Sequence, residues 1–358
     1  MAASRHCLVV GAGIAGAAMA RALADKGWQV DVCDQATSPA AGASGVPIGV
    51  LSCHVSVDDN PLSQLTRAGM DRVRAFAQAH LVKGQDWLDC GVLERRLDGH
   101  TKKKKWQPVE SDSVWHGWVQ TPTRLQLAQA GLSEHSADEQ LWQAHGAWVK
   151  PLALIEAQLN HACIHVQRGQ ALKATEIQAL GYPAVVLALG AHTSDFLAEL
   201  SDAPTLPLLP VAGQISWGLH DAEQAKLFPP FAVNGFGGFV SHVPTPQGLA
   251  WYSGATFHRG QAQAEVTVQD HAENFLKLQQ LLPQAAQALQ TQWRTPNQLQ
   301  GWSGVRCTSV NRMPVARALD TFKLPDWYVL TALGSRGLTL AMECAQRLAL
   351  VIDQRLMD

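Results

Sequence analysis

The sequence predicts an α/β protein of two domains, one built on a parallel sheet and the other on an antiparallel sheet. Three observations carry this. The apolar run CLVV at 7–10 leads through a glycine-rich turn into a small-residue helix and then a second strand, WQVDVCD, which is a βαβ opening. The same alternation resumes far downstream, in AVVLALGA at 184–191 and in WYVLTAL followed by GSRG and a long helix. Between these stretches, AGQISWGL, GGFVSHVP and GLAWYSGATF are β-prone segments separated by Pro and Gly turns, the pattern of hairpins.

Taken in order, residues 14 to 26 read as the first helix, with Gly27 as its stop. Leu62, Leu65, Met70, Val73, Phe76 and Ala77 recur at helical spacing and predict a helix from Pro61 to His80. Residues 86 to 146 are mixed and rich in Trp, and read as an insertion. Helices are predicted over 151–163 and 270–290, and a last one ends near Leu356. The expected division is a discontinuous nucleotide-binding domain of residues 1–85, 147–210 and 303–358, and a substrate domain of residues 86–146 and 211–302.

Composition removes several classes. The chain has 358 residues, 47% of them hydrophobic and 16% charged, which favours a buried core over disorder. Lys and Arg number 28 against 30 Asp and Glu, so the formal charge of −2 is not that of a globally basic nucleic-acid binder. No apolar run reaches the roughly 18 residues that cross a bilayer, so no membrane span is expected. The apolar start resembles a secretion signal, but its glycine spacing favours strand, turn and helix. The seven cysteines are odd in number and widely spaced, and the 14 histidines form no metal-ligand spacing. We therefore expect reduced thiols, a cytoplasmic protein and no metal.

The chemistry begins at Gly11, Gly13 and Gly16, a GxGxxG directly after a strand. Gly11 permits the tight turn, Gly13 lets backbone N–H groups approach a pyrophosphate at the helix N-terminus, and Gly16 lets helix and strand touch. Asp34 ends the next strand at about the 20-residue separation of dinucleotide folds, placed to accept from the ribose hydroxyls. The fingerprint alone leaves FAD and NAD open. Two further glycine loops, GASGVPIG at 42–49 and GSRGLT at 334–339, favour a flavin that bridges both ends of the chain. The second opens a helix whose N-terminus stabilises negative charge on a reduced flavin.

The segments VVGAGIAGAAMARALADKGWQVDVCDQ, GASG, AGQISW, YSGATFHRG, GVRCTSVNRMP and LGSRGLTLAMECAQRLA stand in that order. Together they resemble the flavoprotein domain of the MnmC family, within the D-amino-acid and glycine oxidase (DAO) superfamily, over nearly the whole chain. The resemblance implies an FAD-binding Rossmann-like domain plus an antiparallel-sheet substrate domain, and non-covalent FAD. It implies oxidative removal of the carboxymethyl group from carboxymethylaminomethyl(-2-thio)uridine at the tRNA wobble position, releasing glyoxylate. Bifunctional relatives carry a methyltransferase ahead of the flavoprotein part, so this chain resembles a stand-alone oxidase half with a separate methyltransferase partner. The implied cofactor residues are Gly11, Ala12, Gly13, Ile14, Gly16, Asp34, Gln35, Gly42, Ala43, Ser44, Gly45, Gly49, Gly190, Gly334, Ser335, Arg336, Gly337, Leu338 and Thr339.

Arg306, in GVR, matches the arginine that clamps the substrate carboxylate in glycine-oxidase relatives, and its planar fork suits that role. Arg336 is the second catalytic candidate, with loop bracing as its structural alternative. Gln214, in AGQ, reads as a sheet-holding residue. Cys307 invites a flavin link, but linked relatives carry the cysteine elsewhere. Val46, Lys150 and the segment NRMPVAR at 311–317 depart from the family pattern. For tRNA, the densest basic cluster is Arg95, Arg96 and Lys102 to Lys105 beside Trp106, with a solvated loop as the alternative. The rival functions are a small-molecule amine or amino-acid oxidase acting through the same Arg306, and a flavin-binding scaffold without catalysis.

Overall fold

The computed structural model describes residues 5–97, 113–134, 140–200, 203–295, 298–319 and 326–355. The strand His6–Val10 lies between Gln29–Asp34 and Ala184–Leu187, parallel to both, and Trp327–Thr331 and Ile164–Arg168 extend this sheet on either side. Val315–Ala318 closes one edge antiparallel. Alternate residues of the first strand face opposite layers. Cys7 and Val9 pack with the helices Ile14–Ala24 and Gly337–Arg355, whereas Leu8 and Val10 pack with Ala174, Ile177 and Leu197. The chain leaves its first strand toward one side of the sheet and later returns on the other. The crevice beyond the strand ends at that reversal is where open α/β sheets bind ligands.

The helix Ile14–Ala24 is almost wholly buried, because its Ala and Gly side chains let neighbouring elements come close. A similar contact joins Pro61–His80 to the last helix. A Cβ on Gly69 would lie 1.8 Å from the Thr339 carbonyl oxygen, so only glycine allows that crossing. The start of Pro61–His80 is set by Asn60, whose side chain accepts from Ser63 N, and by Pro61 in the first turn.

The second sheet is mostly antiparallel. Its longest pair, at one end, is Leu208–Leu219 with Gln300–Ser309, and Gly248–Gly254, Gly237–Thr245 and Ala232–Gly235 follow across it. Two helices cover one face, burying Leu278, Leu281 and Leu289 against Phe239 and Trp251.

Several expectations need correction. The helix expected over 270–290 is two, Val268–Leu281 and Pro283–Arg294, because Leu282 takes an extended φ of −143° and Pro283 lacks the N–H to continue the first. The helix expected to reach 163 ends at Leu159, and the next residues turn into Ile164–Arg168, an alternating apolar and polar strand that was not expected. Val92–Arg95 and Gln140–Gln143 pair with each other and extend the second sheet, while Trp87–Leu88 joins a small third sheet. The strand Gln300–Ser309 belongs to the second sheet, across the boundary drawn at 303. Among the described residues, no helix is long and apolar enough to cross a membrane.

Candidate active site

A cavity of about 1030 Å³ runs from the glycine fingerprint to the second sheet. The fingerprint turn is sterically fixed. Gly11 has φ +106°, and a Cβ there would lie 2.6 Å from the Ala188 carbonyl oxygen. A Cβ on Gly16 would lie 1.8 Å from the Gly11 carbonyl oxygen, so these two glycines hold strand and helix together. Gly13 differs, since a Cβ there would meet only the Ser44 hydroxyl, at 3.1 Å, and its smallness serves the cavity instead. Asp34 accepts from Ala12 N at 2.6 Å and from Ala36 N at 2.8 Å, which braces the turn from the end of the second strand. Ser44 accepts from Ile14 N at 3.0 Å, tying the GASG loop to the helix N-terminus.

Of the sequence candidates, Gly11, Gly13, Ile14, Asp34, Gln35, Gly42, Ala43, Ser44, Gly49, Gly190 and all of 334–339 line this one cavity. Ala12, Gly16 and Gly45 stand behind the lining, where they shape the turns. Loops separated by some 300 residues of chain thus meet around one space. Gly190 accepts through its carbonyl from Thr331 Oγ1 at 3.0 Å, which couples two of these strand ends.

Arg306 sits in the same cavity, on the strand Gln300–Ser309 opposite Val211. Its guanidinium lies over the Phe257 ring, 4.5 Å from the centroid. Nη1 is buried with no hydrogen-bond partner among the described residues. Burial pulls the pKa down to about 10, so the group remains cationic at neutral pH. Gly213 makes room for it, because a Cβ there would lie 2.6 Å from Arg306 Nη2. Arg336 also lines the cavity, with Nη2 3.4 Å from His54 Nδ1, and burial lowers its pKa while the charge of Glu94 opposes that.

Gln214 ties its strand to Thr267, the cap of the helix Val268–Leu281, rather than one strand to another. Its side chain donates to Thr267 O at 3.1 Å and accepts from Thr267 N at 2.7 Å. Lys150 donates to Pro244 O at 2.8 Å. Cys307 lines the cavity, and burial raises its pKa, which keeps the thiol protonated.

The basic cluster proposed for RNA needs revision. Arg95 and Arg96 are buried, 9% and 8% exposed, so neither is a surface phosphate contact. Arg95 Nη1 donates to the Gln280 and Leu281 carbonyls at the end of a helix, and Arg96 pairs with Glu94 at 3.2 Å. Lys102 to Lys105 and Trp106 lie outside the described residues. Sequence reasoning also missed Glu94, Asn234, Tyr252 and Phe257, all in the cavity lining. Asn234 stands at the head of the turn NGFGG, and Tyr252 and Phe257 lie within the family-like segment YSGATFHRG, but no role was read from either. His258, Asp270 and Glu273 bring three ligand atoms within 4.8 Å of one another. They already engage each other and Lys277 in ion pairs, His258 with Asp270 at 2.7 Å and Glu273 with Lys277 at 2.6 Å.

The family model described as FAD dependent oxidoreductase, DAO, matches residues 6–350. The chain belongs to this family. It is an FAD-dependent oxidoreductase, and its cavity fits the cofactor: a glycine turn cleared of side chains opens onto a helix N-terminus, which suits a pyrophosphate. This DAO-family chain is 40% identical to the tRNA 5-methylaminomethyl-2-thiouridine biosynthesis bifunctional protein MnmC of Polaromonas naphthalenivorans, over 97% of the chain and 56% of that protein. It is 31% identical to the protein of the same name from Pseudomonas syringae pv. tomato, over 99% of the chain and 57% of that protein. The chain therefore spans little more than half the length of these relatives. Among solved structures, it matches glycine oxidase from Geobacillus kaustophilus with a TM-score of 0.73 at 17% identity, over 97% of this chain and 94% of that one. Iminodiacetate oxidase from Chelativorans sp. BNC1 gives 0.69 at 18% identity, over 97% and 95%. At these identities the likeness is one of fold.

Proposed function

We propose that this DAO-family oxidoreductase removes the carboxymethyl group from carboxymethylaminomethyl(-2-thio)uridine at the wobble position of tRNA, releasing glyoxylate and leaving the aminomethyl nucleoside. The observation that carries the reading is Arg306, a cationic fork in the cavity with a buried Nη1 that no described residue satisfies. A buried donor without a partner is costly in a protein at rest, and a ligand carboxylate removes that cost. The modified uridine ends in such a carboxylate, one methylene from the secondary amine. The names of the relatives supply the tRNA, and the aminomethyl product suits the methyltransferase that the family implies.

Gly11, Gly13 and Ile14 would hold the FAD pyrophosphate, Asp34 and Gln35 the ribose, and the loop 334–339 with Arg336 the flavin end. When bound, FAD would supply the two-electron acceptor for oxidation of the CH–N unit, and water would then split the resulting C=N bond into glyoxylate and the aminomethyl nucleoside. The protein's own part is to fix the carboxylate on Arg306, so that the adjoining methylene has one orientation. Desolvation inside the cavity favours the neutral form of the substrate amine. Asp34→Ala leaves the Ala12 and Ala36 amides without their acceptor, and is expected to weaken FAD binding about tenfold, as measured by titrating apoprotein with FAD.

The reading is tested by anaerobic mixing of the holoprotein with tRNA bearing carboxymethylaminomethyluridine, in parallel with glycine and sarcosine, while the visible absorbance of the flavin is followed. Bleaching by the tRNA with glyoxylate release is the expected result. Bleaching by the free amino acids alone reassigns the protein to small-molecule amine oxidation, and bleaching by none of them leaves a flavin-binding scaffold.

A further inference from the structure

Phe257 is 51% exposed although it lines the cavity and packs on the guanidinium of Arg306. A large apolar ring held half in water beside a cation is well placed to stack on a flat ligand. Phe236 stands close by, at the tip of a turn whose two flanking glycines, Gly235 at φ +150° and Gly237 at φ +85°, line the same cavity. The two rings share one ammonium. Lys277 Nζ lies 5.7 Å from the Phe257 centroid and 5.8 Å from that of Phe236. That ammonium is itself fixed, donating to Ala255 O at 2.9 Å and pairing with Glu273. The rings are therefore presented by a braced cation.

We infer that Phe257, with Phe236 beside it, is a stacking platform for the base of the substrate nucleotide. The inference rests on the proposed function, and it names what that reading left open, namely how the nucleobase is held while its glycine-like arm reaches Arg306. The chemistry agrees on two points. Every base has a π-face, so aromatic stacking suits a base unpaired in a loop. The same ring packs on the arginine proposed to bind the carboxylate, 4.5 Å from its guanidinium, so a base stacked there stands beside the anchor of its own arm. A free amino acid, lacking a flat ring, would gain nothing from such a platform.

The test compares holoenzymes carrying Phe257→Leu and Phe257→Tyr with wild type in anaerobic flavin reduction by the modified tRNA. Leu keeps apolar cover over Arg306 but removes the π-face, while Tyr keeps the π-face. Phe257→Leu is expected to raise the half-saturating tRNA concentration about tenfold, and Phe257→Tyr to restore it to within about twofold. A parallel measurement of tRNA binding by filter retention is expected to shift by the same factor. If Phe257→Leu lowers only the limiting rate, the ring merely props Arg306 and the platform is overturned. Unchanged half-saturation and binding overturn it as well. Failure of wild type to be reduced by tRNA is a separate result, which removes the proposed function and the platform together.

Discussion

Arg306→Lys is expected to lower kcat/KM for the carboxylate substrate about a hundredfold while the protein still binds FAD. A lysine ammonium can reach the carboxylate only as a point charge, and the bidentate pair that fixes the neighbouring methylene is lost. Each charge-assisted hydrogen bond is worth about 1.5–3 kcal/mol, and one such bond lost is one to two factors of ten. Stopped-flow reduction of the flavin measures this, with an unchanged oxidised spectrum as the sign that the cofactor is in place. Stability should move the other way. Arg306 Nη1 is buried with no partner among the described residues, and burial already pulls its pKa down to about 10, so the folded protein carries the cost of desolvating it. Arg306→Met is therefore expected to match or exceed the wild-type Tm in the absence of substrate. A Tm several degrees lower, with kcat/KM barely changed, would make Arg306 a structural residue.

The nucleotide half of the site was legible in the sequence because its requirements are local. Gly11 and Gly16 must be glycine for contacts made within a few residues or with one adjoining strand, and Asp34 closes the same turn from the next strand. The substrate half depends on partners far away in the chain, and there the reading relied on resemblance. Arg306 was singled out, but its strand was not seen to pair with AGQISW, the pairing that brings Gly213 beneath the guanidinium. Arg95 and Arg96 looked like a surface cluster because consecutive charges usually face water. The carbonyls that hold Arg95 lie 185 residues downstream and leave no mark nearby. Phe257 likewise gave no periodic signal, since its role follows from the arginine beneath it. The break at Pro283 and the alternating strand Ile164–Arg168 are local features that were not expected, the first because helical spacing on both sides conceals the missing N–H.

Gly16→Ala and Gly13→Ala should separate the two tasks of the fingerprint. A methyl group on Gly16 would lie 1.8 Å from the Gly11 carbonyl oxygen, a backbone atom that cannot move without dragging the strand away from the helix. The expected cost is about 3 kcal/mol or more, read as a Tm lower by roughly 4 °C or more, together with loss of bound flavin. At Gly13 the nearest obstacle is the Ser44 hydroxyl at 3.1 Å, a side-chain atom that can rotate aside. Gly13→Ala should therefore keep a Tm within about 2 °C of the wild-type apoprotein, as a small local adjustment would. Its methyl group would nonetheless project where a pyrophosphate must approach the amides, so FAD affinity should fall at least tenfold, as loss of one charge-assisted hydrogen bond predicts. The decisive comparison is made on apoproteins, by thermal unfolding, and then by titration with FAD. If Gly13→Ala bound FAD as tightly as wild type, the pyrophosphate would not lie at this turn, and the assignment of the whole fingerprint end of the cavity would fall with it.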